Sequence, residues 1–360
     1  MIRSSEYLAI PPLWCPLETT LHPAAADIES CVQPWMAGFG LDERTLRRAA
    51  AATISGWVCR VAPDSNPERL RWFAQWVDWG LTMDDQLIDA GPLRAQPHAY
   101  NPLVCRMLNH LLHPETPTDE PFTAALGDLS RRARTIASPA LVALWRQTHH
   151  AWLLGAACSV SDRAVRRTRT VDDHLIIGVM DRAVSTFTLM IEMVEGTELP
   201  AAERAQPAVR AVTAAAQLLV TCYNDIASYS HEVHQDSPES NLVHILATEQ
   251  HLAPQDAMVA AVAMVDRLML LFVELREHLE TTGSVELRRY LTQLSHMIRG
   301  NSDWQRHVPR YTTTLEVDMQ ALNQLPAIPS RPLYDYASAP SDSRRMPLSA
   351  STTWWWSVLN

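Results

Sequence analysis

The chain contains no lysine: all 30 of its Lys/Arg residues are arginine. That excludes a Schiff-base lysine, a PLP-anchoring lysine and a P-loop lysine. Any bound anion must be held by Arg, protonated His, backbone N–H groups or a metal ion. GC-rich codon usage accounts for such a bias, but the constraint on chemistry holds either way. Glycine is also scarce, 11 of 360 residues, against an ordinary share of about 7%. Strands and tight turns lean on glycine, so an Ala-, Leu- and Arg-rich chain with so little of it points to helices. The six cysteines (15, 31, 59, 105, 158, 222) are spread out, with no CxxC and no Cys/His spacing suited to zinc. Residues 1–7 lack the basic-then-apolar pattern of a signal peptide, and free thiols suit a reducing cytoplasm, the expected location. The net charge of −10, with no basic run, speaks against nucleic acid. No long apolar run exists either. Ala257 to Leu275 is broken by Asp266, Arg267 and Glu274, which predicts a buried helix rather than a membrane span.

Helix signals recur from about residue 42 to 310. Asp42-Glu43 opens a stretch to about Ala62. Asn66-Pro67 is an N-cap with proline at the first helical position, opening a segment to about Asp89. Asn101-Pro102 has the same form. Thr170 with Asp173 three residues on resembles a capping box. Further helices are expected near 119–136, 139–159, 171–196, 206–233, 239–249, 254–281 and 284–302. No segment alternates like a strand between hairpin turns. The expectation is an all-α fold in three parts: an N-terminal arm over 1–41, a helical domain over 42–312, and a Pro/Ser-rich, mostly flexible tail over 313–360. The tail carries Trp354-Trp355-Trp356, whose role stays open.

Three constellations can carry chemistry. Met83-Asp84-Asp85-Gln86-Leu87-Ile88-Asp89 ends a largely apolar helix. Asp85 and Asp89, four apart, share a face, with Asp84 beside them. Carboxylates grouped at a helix C-terminus repel one another and the dipole unless a cation intervenes, and their hard oxygens suit Mg²⁺. The plain alternative is an exposed acidic turn. The second constellation is Asn224-Asp225-Ile226-Ala227-Ser228-Tyr229-Ser230-His231-Glu232. Asn224, Ser228 and Glu232, at i, i+4 and i+8, fall within roughly 80° of arc. They offer an amide oxygen, a hydroxyl and a carboxylate. The plain alternative is a polar helix face. The third is Trp304 followed by Arg310-Tyr311, where one guanidinium and one phenol can donate to phosphate oxygens.

Together these motifs resemble the bacterial class I terpene synthases, over about residues 8 to 312. Pro11-Pro12, Trp35, the Pro-Glu-Arg-Leu run at 67–70 and Asn241-Leu242 join the resemblance. The Asp motif has the relaxed DDxxxD form, because position 88 is Ile. The resemblance implies a single antiparallel helical barrel whose mouth is closed by three Mg²⁺ ions and a prenyl diphosphate. It implies that Asp84, Asn224, Ser228 and Glu232 hold metal. Asp85 would pair with Arg310, and Asp89 would stand behind the metal ligands. Arg310 and Tyr311 would donate to the diphosphate. Trp76, Trp79, Met83, Phe187 and Trp304 are candidate pocket residues, each also explicable as ordinary helix packing. The implied reaction is ionisation and cyclisation of a linear prenyl diphosphate, farnesyl diphosphate by analogy. A homodimer is left open.

The chain departs from the family pattern in three places. The position of the family's diphosphate-sensing Arg, about 46 residues before the motif Asn, holds Gly178. The linker and effector positions that follow hold Asp181 and Arg182, and Arg182 is the candidate replacement for the sensor. His231 stands where Lys often precedes the motif Glu. Gly80 and Thr82 stand where bulkier residues are common. Other readings are a cyclase for geranylgeranyl or a modified prenyl diphosphate, a chain-elongating transferase with Asp172-Asp173-His174 as a poor second acidic motif, or a non-catalytic prenyl-diphosphate-binding protein.

Overall fold

The computed structural model describes residues 8–50, 52–89, 91–308, 311 and 332–359. The helices are α1 (Ala25–Ala37), α2 (Glu43–Ala50), α3 (Ile54–Val61), α4 (Pro67–Met83), α5 (Pro97–Leu112), α6 (Pro121–Ile136), α7 (Pro139–Val165), α8 (Val171–Asp181), α9 (Val184–Glu195), α10 (Ala201–Arg204), α11 (Pro207–His234), α12 (Leu242–Glu249), α13 (Pro254–Thr282), α14 (Val285–Gln305) and α15 (Thr353–Ser357). Their starts follow from local chemistry. The Asn66 side chain accepts from the Glu68 N–H at 2.8 Å, with Pro67 at the first position. Thr170 likewise caps α8 by accepting from the Asp173 N–H at 3.1 Å.

Two starts differ from expectation. α5 begins at Pro97, and Pro102 lies inside it. Pro97 already supplies a first-turn proline, so the chain is helical before Asn101, and Pro102 costs one internal hydrogen bond. The stretch expected over 42–62 breaks at Thr53, whose φ of 45° is left-handed. That break separates α2 from α3.

Helices α4, α7, α9, α11 and α14 pack around one another, with α13 against α11 and α3 against α14. The core is continuous through this bundle, from Trp72 and Trp145 to Phe272 and Leu291. No single helix among the described residues is long and apolar enough to cross a membrane.

The segment 332–359, read from sequence as mostly flexible tail, packs on the body instead. Leu13–Trp14 (β1) pairs in parallel with Tyr336–Ala337 (β2), joining arm and tail. The Tyr336 hydroxyl donates to Asp303 at 2.7 Å, and its ring lies under the guanidiniums of Arg299 and Arg306 at 4.1 and 4.3 Å. Asp266 on α13 accepts from the Ser341 N–H and hydroxyl, each at 2.6 Å, and from the Trp14 N–H at 3.2 Å. Within α15, Trp355 is buried and Arg210 sits over Trp354. Pro/Ser-rich composition suggested flexibility, but aromatic and ionic anchors hold residues 332–359.

Candidate active site

A cavity of about 530 Å³ opens in the bundle, within the ordinary range for small-molecule sites. Its apolar part is lined by Trp57, Trp76, Val77, Trp152, Val184 and Phe187, with Trp304 nearer Tyr311. Its polar part brings together Asp84, Asp85, Asp89, Asp181, Arg182, Asn224, Ser228, Glu232 and Tyr311. These residues span more than 220 positions of sequence. Trp79 and Met83 are not among the lining residues. Trp79 is wholly buried, its indole N–H donating to the Phe122 carbonyl at 2.9 Å, and Met83 is 1% exposed. Both face the packing side of α4. Arg310 lies outside the described residues.

The acidic motif does not continue α4 as an α-helix. Residues Asp84–Asp89 form a π-helical turn. In such a turn the hydrogen bond closes at i+5 and the backbone is wider than in an α-helix. Burial holds the Asp84 carboxyl well above the usual range, and the negative charges of Asp89, Asp181 and Asp85 add to this in that order. Arg163 on α7 opposes them. It donates to Asp89 at 2.7 Å and to the Ile88 carbonyl at 3.0 Å. Sequence reasoning missed Arg163, which lies in no motif; only the packing of α7 brings it here.

Asp181 and Arg182 are presented by the break between α8 and α9, where Ala183 is left-handed at φ 55°. α7 passes so close that a Cβ on Gly155 would lie 2.4 Å from the Asp181 nitrogen. Glycine is required there to let the break enter the cavity wall. The Ser159 hydroxyl donates to Asp181 at 2.5 Å.

On α11 the three oxygen-bearing residues are held in place. Asn224 accepts from Arg182 Nε at 3.1 Å and donates to the Tyr311 hydroxyl at 3.0 Å. The Ser228 hydroxyl donates to Glu232 at 2.6 Å, and the Asn241 amide donates to the other Glu232 oxygen at 3.1 Å. Behind them Asp225, wholly buried, accepts from Arg182 Nη2 and pairs with His174 Nε2 at 2.6 Å. Burial pushes the Glu232 carboxyl up to about 7, with Arg182 pulling the other way. The donor set is all oxygen, and two of its carboxylates are costly to ionise without added positive charge. Those residues fit a hard divalent cation.

Gly178 is closely packed. A Cβ there would meet the His174 ring at 3.0 Å and Thr221 at 3.1 Å. Arg182, four residues on, does reach the cavity. Its Nη1 is buried and has no hydrogen-bond partner among the described residues.

The Trp76 wall is pinned by a tautomer. An indole N–H only donates, so His149 Nε2, 3.0 Å away, accepts, and Nδ1 carries the proton to the Trp145 carbonyl at 2.8 Å. Burial pushes the His149 pKa down to about 4, keeping the ring neutral. A separate group, Asp64, Glu195 and His296, has the right atoms to bind a metal but lies elsewhere. Asp64 precedes α4 and Asp84 follows it, and a helix of 17 residues is about 25 Å long.

Comparison with known proteins agrees with this geometry. Residues 75–270 match the family described as terpene synthase family 2, C-terminal metal binding. Spiroviolene synthase of Streptomyces violens is 30% identical, with 96% of each chain covered. A T-muurolol synthase of Streptomyces clavuligerus, described as cyclizing (2E,6E)-farnesyl diphosphate, is 29% identical over 96% of this chain and 81% of its own. The crystal structure of the SVS_A2 protein, from ancestral sequence reconstruction, superposes with a TM-score of 0.82 at 30% identity, covering 98% of this chain and all of that one. The chain therefore belongs to the bacterial class I terpene synthases, all-helical lyases that cyclise prenyl diphosphates.

Proposed function

We propose that this terpene synthase is Mg²⁺-dependent, binds three ions, and cyclises farnesyl diphosphate to a hydrocarbon or alcohol. One observation carries the reading: Asp84, Asn224, Ser228 and Glu232 converge at the polar part of a cavity whose remainder is aromatic and apolar. Mg²⁺, when bound by these four residues, supplies the positive charge against which the diphosphate departs. Asp89 holds Arg163, and Asp85 pairs with Arg310 when the diphosphate is bound, as the resemblance implies. Tyr311 and the unpartnered Nη1 of Arg182 donate to the diphosphate oxygens, with Asp181 beside them on the helix break. Heterolysis of the C–O bond sends the electron pair to the diphosphate and leaves an allylic cation. The ring faces of Trp57, Trp76, Trp152, Phe187 and Trp304 stabilise that cation and exclude water. Cyclisation follows the cavity contour and ends by proton loss or capture of one water.

A second reading rests on Gly80. It lines the cavity, where a Cβ would just touch Trp152 at 3.5 Å; a larger side chain there would take up cavity space, so glycine leaves more room for the longer geranylgeranyl diphosphate. Incubation with geranyl, farnesyl and geranylgeranyl diphosphates plus Mg²⁺, followed by GC–MS, decides between them. A cyclic product from farnesyl diphosphate that disappears with EDTA is the expected result. Product from none of the three overturns the enzyme reading. Arg182→Ala is expected to raise KM or lower kcat by about tenfold. Unchanged values of both would end its assignment as the replacement sensor.

A further inference from the structure

The cations nearest the candidate metal residues already have partners. Arg163 is bound to Asp89 and the Ile88 carbonyl. Arg182 is bound to Asn224 and Asp225, leaving Nη1 alone. Gly178 contributes no charge. The cavity lining nevertheless contains two further guanidiniums, Arg44 and Arg48 of α2. They are four residues apart, on one face of the helix. Among the described residues neither forms an ion pair or a side-chain hydrogen bond. Arg47 of the same helix does not line the cavity and pairs with Glu43 at 3.2 Å. Both Arg44 and Arg48 are exposed as well as cavity-lining, so they stand where the cavity meets solvent. The break at Thr53 turns α2 away from the line of α3 and gives it this place.

We propose that Arg44 and Arg48 form an outer clamp on the diphosphate, donating to its terminal phosphate oxygens at the cavity mouth. The inference rests on the proposed prenyl-diphosphate reading of the same site. A guanidinium fork fits phosphate oxygens, and two forks at i, i+4 with no ion pair among the described residues can engage one terminal phosphate. The clamp supplies anchoring charge that Gly178 does not.

The test uses the full chain with Mg²⁺ and inorganic diphosphate in calorimetry, beside steady-state kinetics. The R44A/R48A pair is expected to bind diphosphate at least about tenfold more weakly and to raise KM by a similar factor. R44K/R48K should recover part of the loss, and R47A should behave as wild type. A folded R44A/R48A protein with wild-type diphosphate affinity and KM overturns the clamp. Should the double variant fail to fold, the single variants R44A and R48A carry the same test. Wild-type protein that converts no prenyl diphosphate overturns the enzyme reading itself, an outcome separate from loss of the clamp alone.

Discussion

On one side of the cavity, Asp84, Asp89 and Asp181 crowd around Arg163, with Arg169 a further 3.9 Å neighbour of Asp181. On α11, Asn224, Ser228 and Glu232 are each tied by hydrogen bonds to Arg182, Tyr311, Asn241 or one another. The first set is repulsive as it stands, and its carboxyls gain from added positive charge. The second set is already oriented, by a buried Asp225–His174–Arg182 group beneath it. One side supplies charge and the other supplies geometry. A site for several cations needs both, because flexible carboxylates adapt to an ion while a fixed amide and hydroxyl choose where it sits.

The contrast can be broken at several points. The largest effect is expected from losing the metal-holding oxygens. EDTA should abolish turnover and Mg²⁺ restore it. Asp84→Ala and Glu232→Ala should each lower kcat/KM by ~10² or more. If only one of the two variants is impaired, the sides do not act on one reaction.

The next effect is on stability. Asp225→Ala leaves Arg182 and His174 without their buried partner, and should cost about 3–5 kcal/mol. Asp84→Asn removes a like-charge conflict, so in EDTA it should melt at or above the wild-type temperature. Equal destabilisation by both variants would erase the distinction between the sides.

The smallest effect concerns Asp78, on the same helix that carries the acidic turn. It is buried, within 3.4 Å of Gln33 on α1, and burial raises its pKa to about 7. The folded state thus binds this proton more tightly than the unfolded chain, whose Asp titrates near ~3.9. Stability from this group is full below about pH 4 and is lost as pH rises through 7. Asp78→Asn should therefore raise the melting temperature by ~2 °C or more at pH 8 and change it little at pH 4. A variant that is equally shifted at both pH values would show that charge is not the cause.

Much of the site was legible in the chain because helix periodicity is local. Asn224, Ser228 and Glu232 fall in one line on any α-helix. The acidic run was legible as a cluster, but not its backbone form, since a π-helical turn replaced the α-helical one. Trp76, Trp79 and Met83 could not be sorted by sequence. All three sit on one apolar helix, and only neighbouring helices decide which side chain borders the cavity. Arg163, Arg44 and Arg48 left no motif to read, because their roles depend on where α7 and α2 pack.

The amino-acid order alone determined the helical class, from scarce glycine and recurrent caps, and the kinds of oxygen donor offered to a cation. It also determined that no lysine could serve. Tertiary structure decided which arginines pair with which carboxylates among the described residues, since ion pairing depends on distances between helices far apart in sequence. It also decided the fate of the C-terminal segment. A polar, proline-containing stretch has no local reason to order, but Tyr336 between two guanidiniums and Ser341 on Asp266 order it from the outside.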